Sequence, residues 1–116
     1  MTIEYEMRRL PHLKHVGLAL MDFVHSLQKG TFTKKTEWIY SQNFVGFAIR
    51  YKRVEKIELL ISTYPQEIEN REILPLYTAR WSGYMRGEIT SPRQLACAAR
   101  YIEASYHVWH RGIFGS

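Results

Sequence analysis

Phe44-Val45-Gly46-Phe47-Ala48-Ile49-Arg50-Tyr51, then Lys52-Arg53-Val54-Glu55, then Lys56-Ile57-Glu58-Leu59-Leu60-Ile61, run without a break near the middle of the chain. β-Branched and aromatic side chains fill 44–51 and 57–61, and a short, mostly charged turn separates them, the pattern of two strands joined as a hairpin. Trp38-Ile39-Tyr40 reads as a preceding strand, set off by the polar Ser41-Gln42-Asn43. Connections this short imply an antiparallel meander. Alternation puts Val45, Phe47, Ile49 and Tyr51 on one side, while Phe44, Gly46 and Ala48 form a small patch on the other, suited to a closely packed helix.

Toward the N-terminus, Leu13, Val16, Leu20, Phe23, Val24 and Leu27 recur at helical intervals and predict a first helix over 10–30, with Pro11 in its first turn and Gly30 at its end. Residues 1–10 are expected to be peripheral, as are 112–116. Toward the C-terminus, 64–75 is rich in Glu and bracketed by proline, and reads as a solvated loop. A fourth strand is expected around 77–81 and a fifth around 86–89, with Ser82-Gly83 and Gly87 as bends. Ser91-Pro92-Arg93-Gln94 has the spacing of a capping box with proline at the first helical position. It should open a last helix whose inner face is Leu95, Ala98, Ala99, Ile102, Tyr106 and Trp109, ending before Gly112. The sequence has no internal repeat or linker, and helix, antiparallel sheet and helix make it one α+β domain over 1–116.

The composition narrows the chemistry. With 116 residues, 46% apolar and 14% aromatic, the chain has the make-up of one globular unit and not of a disordered tail. The single Cys97 allows neither an internal disulfide nor a Cys-rich zinc site, and a reducing cytoplasm is the expected setting. Acidic Glu4 and Glu6 stand where a signal peptide would be basic, and Asp22 and His25 interrupt the longest apolar run, so neither export nor a membrane span is expected.

Ten of the eleven acids are Glu, leaving Asp22 as the lone Asp. A metal-dependent nuclease of the PD-(D/E)XK type needs an Asp followed by Glu-x-Lys on adjacent strands, and that set is missing: Asp22 falls in a helix and Glu55-Lys56 are directly adjacent. His15, Asp22 and His25 share one side of the first helix, but they span about 15 Å at 1.5 Å rise per residue, too far for one ion to bridge. His107, His110 and Arg111 suit the negative end of the last helix dipole. Cys97, set among alanines, reads as a packed small residue. The Trp81–Gly87 stretch lacks the Gly-Lys-Ser/Thr ending of a P-loop and the three-glycine dinucleotide fingerprint. No metal, cofactor or catalytic residue is therefore expected, although Glu58, Tyr84, Glu88 and His107 would form a catalytic group if the fold brought them together.

The basic residues carry the functional signal. Between 29 and 56 the chain has seven of them against Glu37 and Glu55, a local excess equal to the whole net charge of +5. Lys34, Lys35, Arg50, Lys52, Arg53 and Lys56 are the expected phosphate contacts, with Arg86 as an extra. The competing explanation is a set of solvated turns and an edge strand protected by lysine. Whether Lys34 and Lys35 meet Lys52 and Arg53 depends on strand register. Trp38, Tyr40 and Tyr51 could stack bases, or form core.

Trp81-Ser82-Gly83-Tyr84, Arg86-Gly87-Glu88-Ile89-Thr90-Ser91, Leu95 and the run Tyr101-Ile102-Glu103-Ala104-Ser105-Tyr106 resemble the end of a small uncharacterised bacterial domain labelled a predicted transport protein. Ser82-Gly83-Tyr84 stands where that domain has a Gly-rich turn with a His. The resemblance implies an accessory domain found beside restriction and nuclease modules, with no established catalytic residues. The expectation is a non-enzymatic nucleic-acid-associated domain. The alternative is a protein-interaction module, either a homodimer or a partner-binding protein of a phage, plasmid or defence system, using a strand edge or the aromatic end around Tyr106, Trp109 and Phe114.

Overall fold

The computed structural model describes residues 2–62, 68–78 and 84–114, with 113 and 114 described by their backbone alone. Helices α1 (Ile3–Arg8) and α2 (Lys14–Leu27) precede strands β1 (Phe32–Lys34), β2 (Trp38–Tyr40), β3 (Val45–Arg50), β4 (Lys56–Ile61), β5 (Tyr77–Thr78) and β6 (Met85–Ile89). A 3-10 turn, Pro92–Gln94, then leads into α3 (Leu95–Phe114). The strands make one antiparallel sheet in the order β1-β2-β3-β4-β6-β5. The chain is an α+β fold whose meander runs to β4, after which β6 takes the place beside β4 and β5 becomes the edge. Residues 79–81 of the expected fourth strand, the Ser82-Gly83 bend and part of the acidic loop lie outside the described residues.

Register decides which side is buried. Phe47 faces Trp38 and Leu59, Ile57 faces Ile49 and Ile89, and Ile61 faces Val45, so one face of the sheet is a continuous apolar surface. Against it pack Val16, Leu20 and Val24 of α2 and Ala98, Tyr101 and Ile102 of α3, all buried. Among the described residues, no helix is long and apolar enough to cross a membrane.

Several local readings change. Residues 1–10 are not peripheral: Thr2 accepts the N–H of Tyr5 to cap α1, whose Ile3 and Met7, with Leu10, enter the core. The apolar period of α2 extends past its true start, because Pro11 sits in the turn between the helices. Gly30 ends no helix; a Cβ there would lie 2.9 Å from the Tyr40 ring and closer still to Ser41 and Gln42, so the site needs glycine for close approach. Gly112 lies inside α3.

The loop before β5 is anchored and not simply solvated. Leu74 and Leu76 are buried over Gly87 of β6, where the missing side chain makes room for them. The Tyr101 hydroxyl donates to Leu74 O at 2.8 Å and accepts from Asn70 N, and Gln94 Nε2 donates to Ile73 O at 2.8 Å. Gln94 also completes the capping box expected from Ser91-Pro92-Arg93-Gln94.

Among the described residues no helix packs on Gly46 and Ala48. A Cβ on Gly46 would meet Ile39 Cδ1 at 2.8 Å and Trp38 O at 3.0 Å, so cross-strand neighbours already occupy that space. Their side of the sheet also carries Leu60 and the charged residues Arg50, Lys56, Glu58, Arg86 and Glu88.

Candidate functional site

Strand register brings the two basic turns to the same end of the sheet. Lys34 pairs with Trp38, Trp38 with Phe47, and Arg50 with Lys56, so the β1–β2 turn and the β3–β4 turn project from one edge. Between the β3–β4 turn and α1 lies a groove of about 590 Å³, lined by Arg50, Lys52, Arg53 and Lys56 together with Glu6, Ile49, Tyr51 and Val54. Four cations and one carboxylate thus face the same space. The carboxylate is already engaged: Glu6 accepts the Trp38 indole N–H at 2.8 Å and lies 3.5 Å from Lys34 Nζ, tying α1 to β2.

The expected phosphate contacts divide by what already holds them. Lys35, Lys52 and Arg53 are exposed and make no ion pair among the described residues. Lys34 pairs with Glu6 and sits over the Trp38 ring. Arg50 gives its Nε to Glu58 at 3.2 Å while half of its side chain stays in solvent. Lys56 is hydrogen-bonded to Glu88, which holds its ammonium above the ordinary lysine value despite partial burial. Arg86 is the most enclosed, between Glu37 and Glu58. Burial opposes its charge, but the Glu37 hydrogen bond and the two carboxylate fields outweigh that and keep the guanidinium's pKa raised.

Glu37, Arg86, Glu58 and Arg50 therefore form a chain of alternating charge across the helix-free face, joined through Lys56 to Glu88. Three carboxylates balance three cations there, whereas Lys35, Lys52 and Arg53 at the turn end make no ion pair among the described residues. Burial followed by the field of Glu37 raises the Tyr84 phenol, and burial followed by those of Glu88 and Glu58 raises Tyr77.

Glu58, Glu88 and His107 do not converge. The two carboxylates lie on the helix-free face, whereas His107 is exposed on α3 across the sheet. Tyr84 donates to Asn43 O. Among the described residues, no three His, Cys, Asp or Glu side chains gather in a way that could hold a metal ion. Cys97 is buried in α3. At the aromatic end, Tyr106 and Trp109 pack against Phe44 with ring centroids 5.3 and 5.7 Å away, and the Phe114 side chain lies outside the described residues.

Of the aromatic candidates, Trp38 and Tyr40 are core, and Tyr40 donates its hydroxyl to Gln28 O. Tyr51 is exposed at the mouth of the groove with Arg9 stacked on it, 5.0 Å from the ring centroid. Sequence reading missed Glu6 and Arg9 because it missed α1. The signal was there in a capping Thr2, acidic Glu4 and Glu6 in the first turn and basic Arg8 in the last, but a helix of six residues shows less than two turns of period. Compared with protein-family models, curated proteins and solved structures, the chain matches none of them.

Proposed function

We propose that the protein is a non-enzymatic domain that holds nucleic acid by its phosphate backbone at the turn end of the sheet, in a reducing cytoplasm. The observation that carries this reading is the groove at the β3–β4 turn, where Arg50, Lys52, Arg53 and Lys56 surround one space and Lys34 and Lys35 project from the neighbouring turn. Among the described residues Lys52 and Arg53 make no ion pair that would have to be given up, so phosphate contact there costs little beyond ordering two side chains. Arg86 belongs to the ion-paired face and supports Arg50 through their shared partner Glu58. The resemblance to a small bacterial domain found beside restriction and nuclease modules points the same way.

Such binding displaces counterions, so log K should fall linearly with log salt by roughly 0.7–0.9 per phosphate contact. Fluorescence anisotropy of a labelled oligonucleotide titrated at several salt concentrations measures this. Reversing both Lys52 and Arg53 to Glu should weaken binding and flatten the slope by about 2. Absence of association at low ionic strength, or association indifferent to salt, overturns the proposal.

A further inference from the structure

We propose that the nucleic acid held at this end is single-stranded, with bases stacking on a platform made by Tyr5, Arg9 and Tyr51 while the phosphates follow the adjoining groove. This rests on the nucleic-acid reading above and adds the state of the strand and the residues that select it.

The platform is built from two elements that meet beside the groove. Tyr5 and Arg9 are four residues apart across the end of α1, which puts both side chains on one side of it. Tyr51 follows β3 directly and also lines the groove. The Arg9 guanidinium lies 5.8 Å from the Tyr5 ring centroid and 5.0 Å from that of Tyr51, and so bridges the two rings. Arg9 makes no ion pair among the described residues. Tyr5 is 53% exposed and Tyr51 36%. Unlike Tyr40 and Tyr101, which are buried with their hydroxyls bonded to backbone carbonyls, these two tyrosines leave aromatic surface in water.

A duplex gives such a platform little to bind, since its bases already stack on one another and only its phosphates are outermost. An unpaired strand presents free base faces, and tyrosine rings and guanidinium planes are the groups that receive them. Because Tyr51 borders both surfaces, a strand with phosphates near Lys52 and Arg53 has its bases within reach of the platform. Stacking does not distinguish deoxyribose from ribose, so the chemistry named is an unpaired strand of either sugar.

The test measures anisotropy with labelled oligo-dT, oligo-U, an abasic deoxyribose-phosphate strand of equal length and a blunt duplex. The proteins are the full chain, Tyr51→Leu, Tyr5→Leu, Tyr51→Phe and the double variant Lys52→Glu/Arg53→Glu, each checked for cooperative unfolding. The base-bearing strands should bind more tightly than the abasic strand and the duplex. Each Leu variant should weaken oligo-dT or oligo-U binding by roughly tenfold and leave the abasic strand unchanged, whereas Tyr51→Phe, which keeps the ring, should bind as the parent does. If the duplex binds as well as the single strands, or both Leu variants bind as the parent does, the single-strand proposal is overturned; in that event the charge-reversed variant still losing affinity for every probe keeps the phosphate reading. If no probe binds the parent at low salt, both fall.

Discussion

Glu55 caps the helix that begins just beyond Leu13: its Oε2 accepts the backbone N–H of Leu13 at 2.7 Å and that of His12 at 2.8 Å. The cap comes from forty-two residues away in sequence, since the start of α2 has no side-chain cap of its own. A carboxylate here satisfies two helix-start donors and complements the positive end of the helix dipole. The same contact fixes the base of the turn that presents Lys52 and Arg53. Helix capping and the position of the basic groove are thus one structural fact.

Replacing Glu55 with Ala should cost about 1 kcal/mol, the usual worth of an N-cap, and replacing it with Gln should cost less because an amide oxygen can still accept. Urea unfolding of the two variants gives the comparison. Hydrogen exchange in the turn should quicken in the Ala variant, and equal stability of Ala and wild type would remove the capping role.

Ser105 does on the other side of the core what Glu55 does at the turn end. Fully buried, its hydroxyl donates to Phe44 O at 2.6 Å and accepts from Ser62 N at 2.8 Å, so α3 is tied to the start of β3 and the end of β4. Ser105→Ala changes little volume but leaves a buried carbonyl without its donor. A loss of about 1–3 kcal/mol in urea unfolding is expected.

Glu58 is the hub of the helix-free face, 7% exposed, with Oε2 at 3.2 Å from Arg50 Nε and 3.1 Å from Arg86 Nη1. Losing one partner from a fully buried ion pair costs about 3–5 kcal/mol, and the solvent beside Arg50 brings the expectation for Glu58→Gln down to about 2 kcal/mol. A cycle with Arg86→Met separates pair from site: the double variant should lose less than the sum of the single variants. Since Arg50 would be released toward the groove, oligonucleotide affinity should not fall.

How far the sequence could be read follows from the range of each signal. The hairpin of β3 and β4 was legible because period-two alternation over six residues is local, and the capping box at Ser91 because its partners are adjacent. The three-residue β1 and six-residue α1 are too short to show a period. The groove was half legible: composition placed the positive excess in 29–56, but only register could say that both turns share one end. Arg86 looked like a free cation because its partners Glu37 and Glu58 lie forty-nine and twenty-eight residues away. Burial of Leu74 and Leu76 in an acidic loop was invisible for the same reason, since it depends on Gly87 of the following strand β6.

Tyr101 links that loop to α3 and gives the fold a defined weakness at high pH. Burial, reinforced by its hydrogen bond with the Cys97 thiol, pushes the phenol up to about 12 from 10.0. An acid whose folded pKa is raised keeps its proton in the native state while the unfolded chain loses it. The unfolded state therefore binds fewer protons between about pH 10 and 12, and stability must fall as pH rises through that window, being fully present below it. Ionisation would also remove the proton donated to Leu74 O, setting the anchored loop loose along with its cover over Gly87. Urea midpoints between pH 8 and 11 should be flat at first and then decline. Tyr101→Phe, less stable at neutral pH for want of the two loop hydrogen bonds, should decline less steeply. Tyr40, Tyr77 and Tyr84, also raised by burial, supply the remaining slope. Parallel pH profiles for the variant and the parent would show that the loop is not held by the protonated phenol.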